Sequence, residues 1–144
     1  MPDDTVDLER FVAAQSGGVH ERALEELRTG RKRSHWMWFV FPQVAGLGRS
    51  ATARHFALSG LDEAHAYLQH PLLGARLRES VSALLELPDT DPIAVLGTID
   101  AIKLRSSMTL FARAAPEEEI FQQVLDRYYG GLHDEATIRL LGSP

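Results

Sequence analysis

Apolar residues recur along this chain at three- and four-residue intervals and hardly anywhere in strict alternation. That period belongs to helices with one buried face. Leu8, Phe11 and Val12 begin it, behind Asp3, Asp4 and Asp7, acids that suit a first turn. Gly17-Gly18 interrupts the pattern. A second helix is predicted over 21–28, with Leu24 and Leu27 inward and Gly30 where a C-terminal cap belongs. Segment 34–41 is ambiguous. As a strand it would be apolar on both faces; as a helix it would be short, capped by Ser34 and ended before Pro42. No partner strand is evident nearby, which favours a short buried helix.

Ser50 can cap a helix running to about 58, and Ser59-Gly60 breaks the chain again. Helix follows over 61–69. Pro71 fits the first position of a long helix to 87, with Leu73, Leu77, Val81, Leu84 and Leu85 as its stripe. After a turn at 88–92, in which Asp91-Pro92 pairs a cap with an N1 proline, a short helix reaches 96. A long one follows over 99–114. Pro116 and the acids Glu117, Glu118 and Glu119 open another, with Ile120, Phe121, Val124, Leu125 and Tyr128 as its core face. Gly130-Gly131 ends it, and a last helix spans about 135–141. The expected fold is all-α: an irregular or orthogonal bundle of about eight helices, several of them short. It is read as a single domain over 1–144, with an ordered core over about 7–141.

Composition narrows the classes. The chain has no cysteine, which excludes disulfides, thiolate metal sites and a cysteine nucleophile. The N-terminus is acidic and lacks the apolar run of a signal peptide, and 36–42 is too short to span a bilayer, so a cytoplasmic protein without membrane attachment is expected. A net charge of −5 argues against a general nucleic-acid binder. Distribution changes that picture. No carboxylate lies between Glu26 and Asp62, a stretch holding Arg28, Arg31, Lys32, Arg33, Arg49 and Arg54. A second such stretch, 101–116, holds Lys103, Arg105 and Arg113. Either these cations form a local positive surface or they pair with carboxylates elsewhere in the fold.

Chemistry has few candidates. Arg31, Lys32 and Arg33 with His35 run directly into Trp36, Met37 and Trp38. Arginines can clamp a phosphate or carboxylate, and an indole can wall a pocket, although both tryptophans also read as core. The loop Gly46-Leu47-Gly48-Arg49-Ser50-Ala51 fits a loose G-x-G-x-x-A pattern. It has no βαβ unit around it and is better read as a turn between helices. Lys103, Ser106 and Ser107 share one helix face at i, i+3, i+4. They read either as a polar notch for an anion, with the lysine activating a serine, or as serines bonded back to helix carbonyls. The six histidines show no H-E-x-x-H and no ligand triad, so no metal is expected.

Residues 30–43, followed by Gly46-Leu47-Gly48-Arg49-Ser50, closely resemble the signature of the bacterial family termed domain of unknown function 1810. The resemblance continues through 63–77, 100–111 and 121–126, and ends at Asp134 and Thr137. It implies a small, mainly helical, stand-alone protein without an established activity, and it assigns no cofactor. Its strongest positions coincide with Arg31, Arg33, His35, Gln43, Lys103, Ser106 and Ser107. The expectation is therefore a binder of a small anion, such as a nucleotide or phosphorylated metabolite. Arg31, Arg33 and Lys103 would hold the charge, Trp36 would wall the pocket, and Gln43, Ser106 and Ser107 would orient the ligand. His35 would be a general acid or base in hydrolase- or transferase-type chemistry. A non-catalytic interaction module is the alternative. The first expectation requires 31–35 and 103–107 to meet in space.

Overall fold

The computed structural model describes residues 4–88 and 91–142, with side chains from Leu8 onward. Asp3 and the Asp89-Thr90 centre of the expected turn lie outside the described residues. Ten helices are present among them: α1 (Asp4–Gln15), α2 (Val19–Thr29), α3 (Met37–Val40), α4 (Ala51–His55), α5 (Leu61–Gln69), α6 (Leu73–Glu86), α7 (Pro92–Leu96), α8 (Thr98–Ala114), α9 (Glu119–Tyr129) and α10 (Glu135–Leu141). The fold is all-α. β-type pairing among the described residues is limited to one isolated bridge, Val44 with Leu58.

α8 is the axis of the bundle. Its residues from Ser106 to Phe111 are buried without a break, so this stretch is enclosed on all sides. α5, α7, α9 and α10 pack against it, and α6 joins α2, α5 and α9. The stripes read from the sequence face this centre: Leu24 and Leu27 of α2, Leu73, Leu77, Val81 and Leu84 of α6, and Phe121, Val124, Leu125 and Tyr128 of α9 are all in the core. Aromatic rings link the layers. Phe11 meets Tyr67 edge-on at 5.2 Å, Tyr67 meets Phe111 at 5.6 Å, and Phe111 meets Phe121 at 5.6 Å.

Helix starts follow side-chain capping more than proline. Ser50 accepts from the Ala53 N–H and Asp91 from the Ile93 N–H, as their types predict. α6, however, begins at Leu73 and not at Pro71. The His70 ring Nδ1 accepts from the N–H groups of Leu72 and Leu73, both at 3.2 Å, and takes over the capping role. α9 begins at Glu119, two residues after the Pro116-Glu117 turn, because Glu118 is held outside the helix by Arg78 at 2.6 Å. α4 stops at His55 instead of about 58. Leu58 is fully buried, its N–H donates to the Gln43 carbonyl and its own carbonyl accepts from the Ala45 N–H. That pairing requires extended backbone and closes residues 44–58 into a loop.

Candidate functional site

The 30–36 segment is shaped by one carboxylate. Gly30 sits in the left-handed region at φ 78° and ends α2, with N–H bonds from Gly30 and Arg31 back to Leu27 and Glu26. Glu26 Oε1 then accepts from the N–H groups of Arg33 (2.7 Å) and Ser34 (3.0 Å) and from the Trp36 indole (2.9 Å). Its Oε2 accepts from the Ser34 hydroxyl at 2.6 Å. Burial alone would push this carboxyl up. The Ser34 hydroxyl, the two backbone donors and the indole outweigh it and hold the group at about 2.

This tether decides where each candidate points. Trp36 is 1% exposed, a core residue behind the site; it walls no cleft, and the expectation for it is corrected. In a helix of about 100° per residue, Trp36 and Val40 share a face and Trp38 falls on the opposite one. Trp38 is half-buried and supplies the indole wall instead. Arg31 and Arg33 are exposed and face away from the cleft. Arg33 lines a separate groove beside Arg22 and Thr29 of α2, and Arg31 lines none of the recesses described here. Neither converges with Lys103. Lys32 does: its ammonium lies 3.0 Å from Asp100 of α8. The required meeting of the two segments is thus made by Lys32 and His35 and not by the two arginines.

Lys103 is the centre of the arrangement. Its ammonium lies 4.0 Å from the centroid of the Trp38 ring and 3.7 Å from Asp100, the carboxylate that Lys32 already holds more closely. A recess of about 450 Å³ opens on one side of Lys103, between the 43–53 segment, α8 and α10. Its walls are Trp38, Leu47, Ile99 and Ile102; Gln43, Arg49 and Ser106 add polar groups. A second recess of about 540 Å³ opens on the other side, against α7, and His35 and Thr98 lie on it. Trp38, Ile99 and Lys103 belong to both.

The serines divide. The Ser106 hydroxyl lies 3.3 Å from the Ile102 carbonyl and 3.0 Å from Asp134 Oδ2, so its proton is engaged by the carboxylate that also caps α10 through Thr137. It borders the first recess as an oriented acceptor, and no lysine contact makes it a nucleophile. Ser107 has no exposed surface and its hydroxyl has no hydrogen-bond partner among the described residues. It cannot orient a ligand, which corrects that expectation. Asp100 carries no signal of its own in the sequence, and Trp38 and Asp134 enter it only as a core candidate and as the end of the family resemblance. The helical offset between positions 36 and 38 was the one available signal. Among the described residues no group of three or more His, Asp or Glu could hold a metal ion. None of the described helices is long and apolar enough to cross a membrane.

An all-α bundle with its lysine-centred cleft on α8 places the chain among small helical proteins, and comparison with known proteins identifies which. Residues 5–141 match the family described as Protein of unknown function (DUF1810), and the chain belongs to that family. It is similar to the conserved hypothetical protein Rv1873 from Mycobacterium tuberculosis, whose crystal structure was determined at 1.38 Å. The two are 49% identical, with a TM-score of 0.92, over 96% of this chain and 98% of that one. No curated protein matches the chain.

Proposed function

We propose that this protein binds a small organic anion, a nucleotide or phosphorylated metabolite, in the cleft around Lys103. The observation that carries the reading is the incomplete neutralisation of that lysine. Lys32, Lys103 and Arg49 face Asp100 and Asp134 across the cleft, three cations against two carboxylates. Asp100 sits closer to Lys32 than to Lys103, at 3.0 Å against 3.7 Å. The side chain of Lys103 is 20% exposed and lies on apolar walls, where a ligand phosphate would displace little bound water and gain a charge-assisted bond. A cleft of this size, mostly apolar with a few convergent polar groups, is the usual form of a small-ligand site. Gln43 and Ser106 would orient the ligand. His35, on the exposed rim of the second recess, would serve as proton donor or acceptor in any hydrolase- or transferase-type step.

Thermal shift at low salt against AMP, sugar phosphates and dicarboxylates tests this. A ligand at a hundred times its Kd adds about 2.7 kcal/mol to the folded state. Lys103→Met, which keeps the apolar stem on Trp38, removes the shift, and Arg31→Ala retains it. A shift that survives Lys103→Met refutes the placement, and no shift across the panel refutes the reading. A second reading, a non-catalytic interaction module, is favoured by Ile99 and Ile102, which are 69% and 63% exposed on the same cleft.

A further inference from the structure

Lys103 stands in the middle of its cleft, with open space on both sides. A pocket for a terminal phosphate would place its cation at a closed end, so that the rest of the ligand extends one way. Here the cation has a recess of about 450 Å³ on one flank and one of about 540 Å³ on the other. Each volume alone lies within the roughly 300–1,000 Å³ of ordinary ligand sites. Trp38 and Ile99 line both recesses, so apolar surface flanks the charge on either side. Polar groups suited to heteroatoms stand in both: Gln43 and Ser106 in the first, His35 and Thr98 in the second.

We infer that the two recesses form one site for a two-armed anion, a phosphate diester. Its charged centre rests on Lys103, and each organic substituent occupies one recess. This rests on the anion-binding reading above. The single surplus cation matches the low charge of a diester better than that of a monoester, which carries about two negative charges at neutral pH. Joining two arms through one anchored centre also makes the second arm's binding intramolecular, which raises affinity without a new type of contact.

Isothermal titration with the phosphate diester adenylyl-(3′,5′)-adenosine and with AMP separates the possibilities. The diester is expected to bind about tenfold or more tightly than AMP, a difference of about 1.4 kcal/mol or more. Thr98→Trp fills the second recess and Ile102→Trp the first; both positions are exposed, so neither ring enters the core. Each variant should bring the diester to within about twofold of AMP, because either block removes one arm. Lys103→Met should weaken both ligands. If AMP binds through Lys103 and the diester binds no better, the anion site stands and the two-armed ligand is refuted. If the diester keeps its advantage in both tryptophan variants, the two-armed ligand is refuted as well. If neither ligand binds, the anion-binding reading falls and this inference with it.

Discussion

Replacing Glu26 by glutamine keeps the shape of the side chain and removes its charge. Four donors converge on this carboxylate: two backbone N–H groups, the Ser34 hydroxyl and the Trp36 indole. An amide offers one acceptor oxygen to them and turns an NH₂ group toward the rest. The native carboxyl is held at about 2 against an ordinary 4.5. At about 1.4 kcal/mol per pKa unit, that depression amounts to about 3 kcal/mol of stability at neutral pH. The carboxyl borders the groove that Arg33 lines, so solvent screening takes part of this figure. The sign follows from the lowered value. The stabilisation is fully present above 4.5, where the unfolded group is also ionised, and is lost as pH falls through 4.5 toward 2. Urea unfolding of the wild type and Glu26→Gln at pH 7, 5 and 3 measures it. The variant should lose about 2–3 kcal/mol at pH 7, a drop of roughly 6–12 °C in Tm, and the gap should narrow steadily below pH 4.5. A gap that stays constant from pH 7 to 3 would show that shape and not charge holds the 30–36 segment.

Two further substitutions probe the frame around the cleft. Gly74→Ala puts a Cβ 2.1 Å from the Leu68 carbonyl oxygen at the α5–α6 corner. Backbone must move, and a loss of about 1–3 kcal/mol in chemical denaturation is expected; an unchanged midpoint would mean the corner adjusts freely. Asp134→Ala removes the cap of α10 and the partner of Ser106, which should cost about 1–2 kcal/mol and weaken any ligand that Ser106 orients. A stability loss with ligand binding untouched would remove Ser106 from the site.

The legible parts of the fold are those where burial repeats at helical spacing. Leu73, Leu77, Val81 and Leu84 announce both α6 and its inward face, and the same holds for α9. The starts of these two helices were less visible. Pro71 and Pro116 satisfy the rule for a first helical position, but the His70 ring and the Arg78–Glu118 pair settle where the helices begin. Those contacts depend on the packing of α5, α6 and α9, which no local window contains. Within the site, Lys103 stood out because a lysine among hydroxyls on an apolar helix is uncommon. Arg31 and Arg33 stood out for local charge density, which carries no information about direction. Direction comes from Glu26, five to seven residues away, whose bonds to Arg33 and Ser34 fix the segment with both arginines outward and Lys32 on Asp100. Trp36 and Trp38 differ in the same way: one carboxylate within reach of the first indole assigns it to the core and leaves the second to the cleft.

The 44–58 loop gives the cleft a separable wall. Its ends are fastened by the Val44–Leu58 bridge and by Arg10, which donates to the carbonyls of His55 and Ala57 at 2.6 and 2.7 Å. Between those fastenings α4 buries no residue, and Gly46 lies against the side chain of Leu140. Arg49 and Ala53 line the cleft without belonging to the core, whereas Leu47 lines it and also packs against the core. The residues that shape this wall and those that hold the fold are therefore largely different ones, so substitutions at Arg49 and Ala53 are expected to change the cleft while leaving the unfolding midpoint where it is.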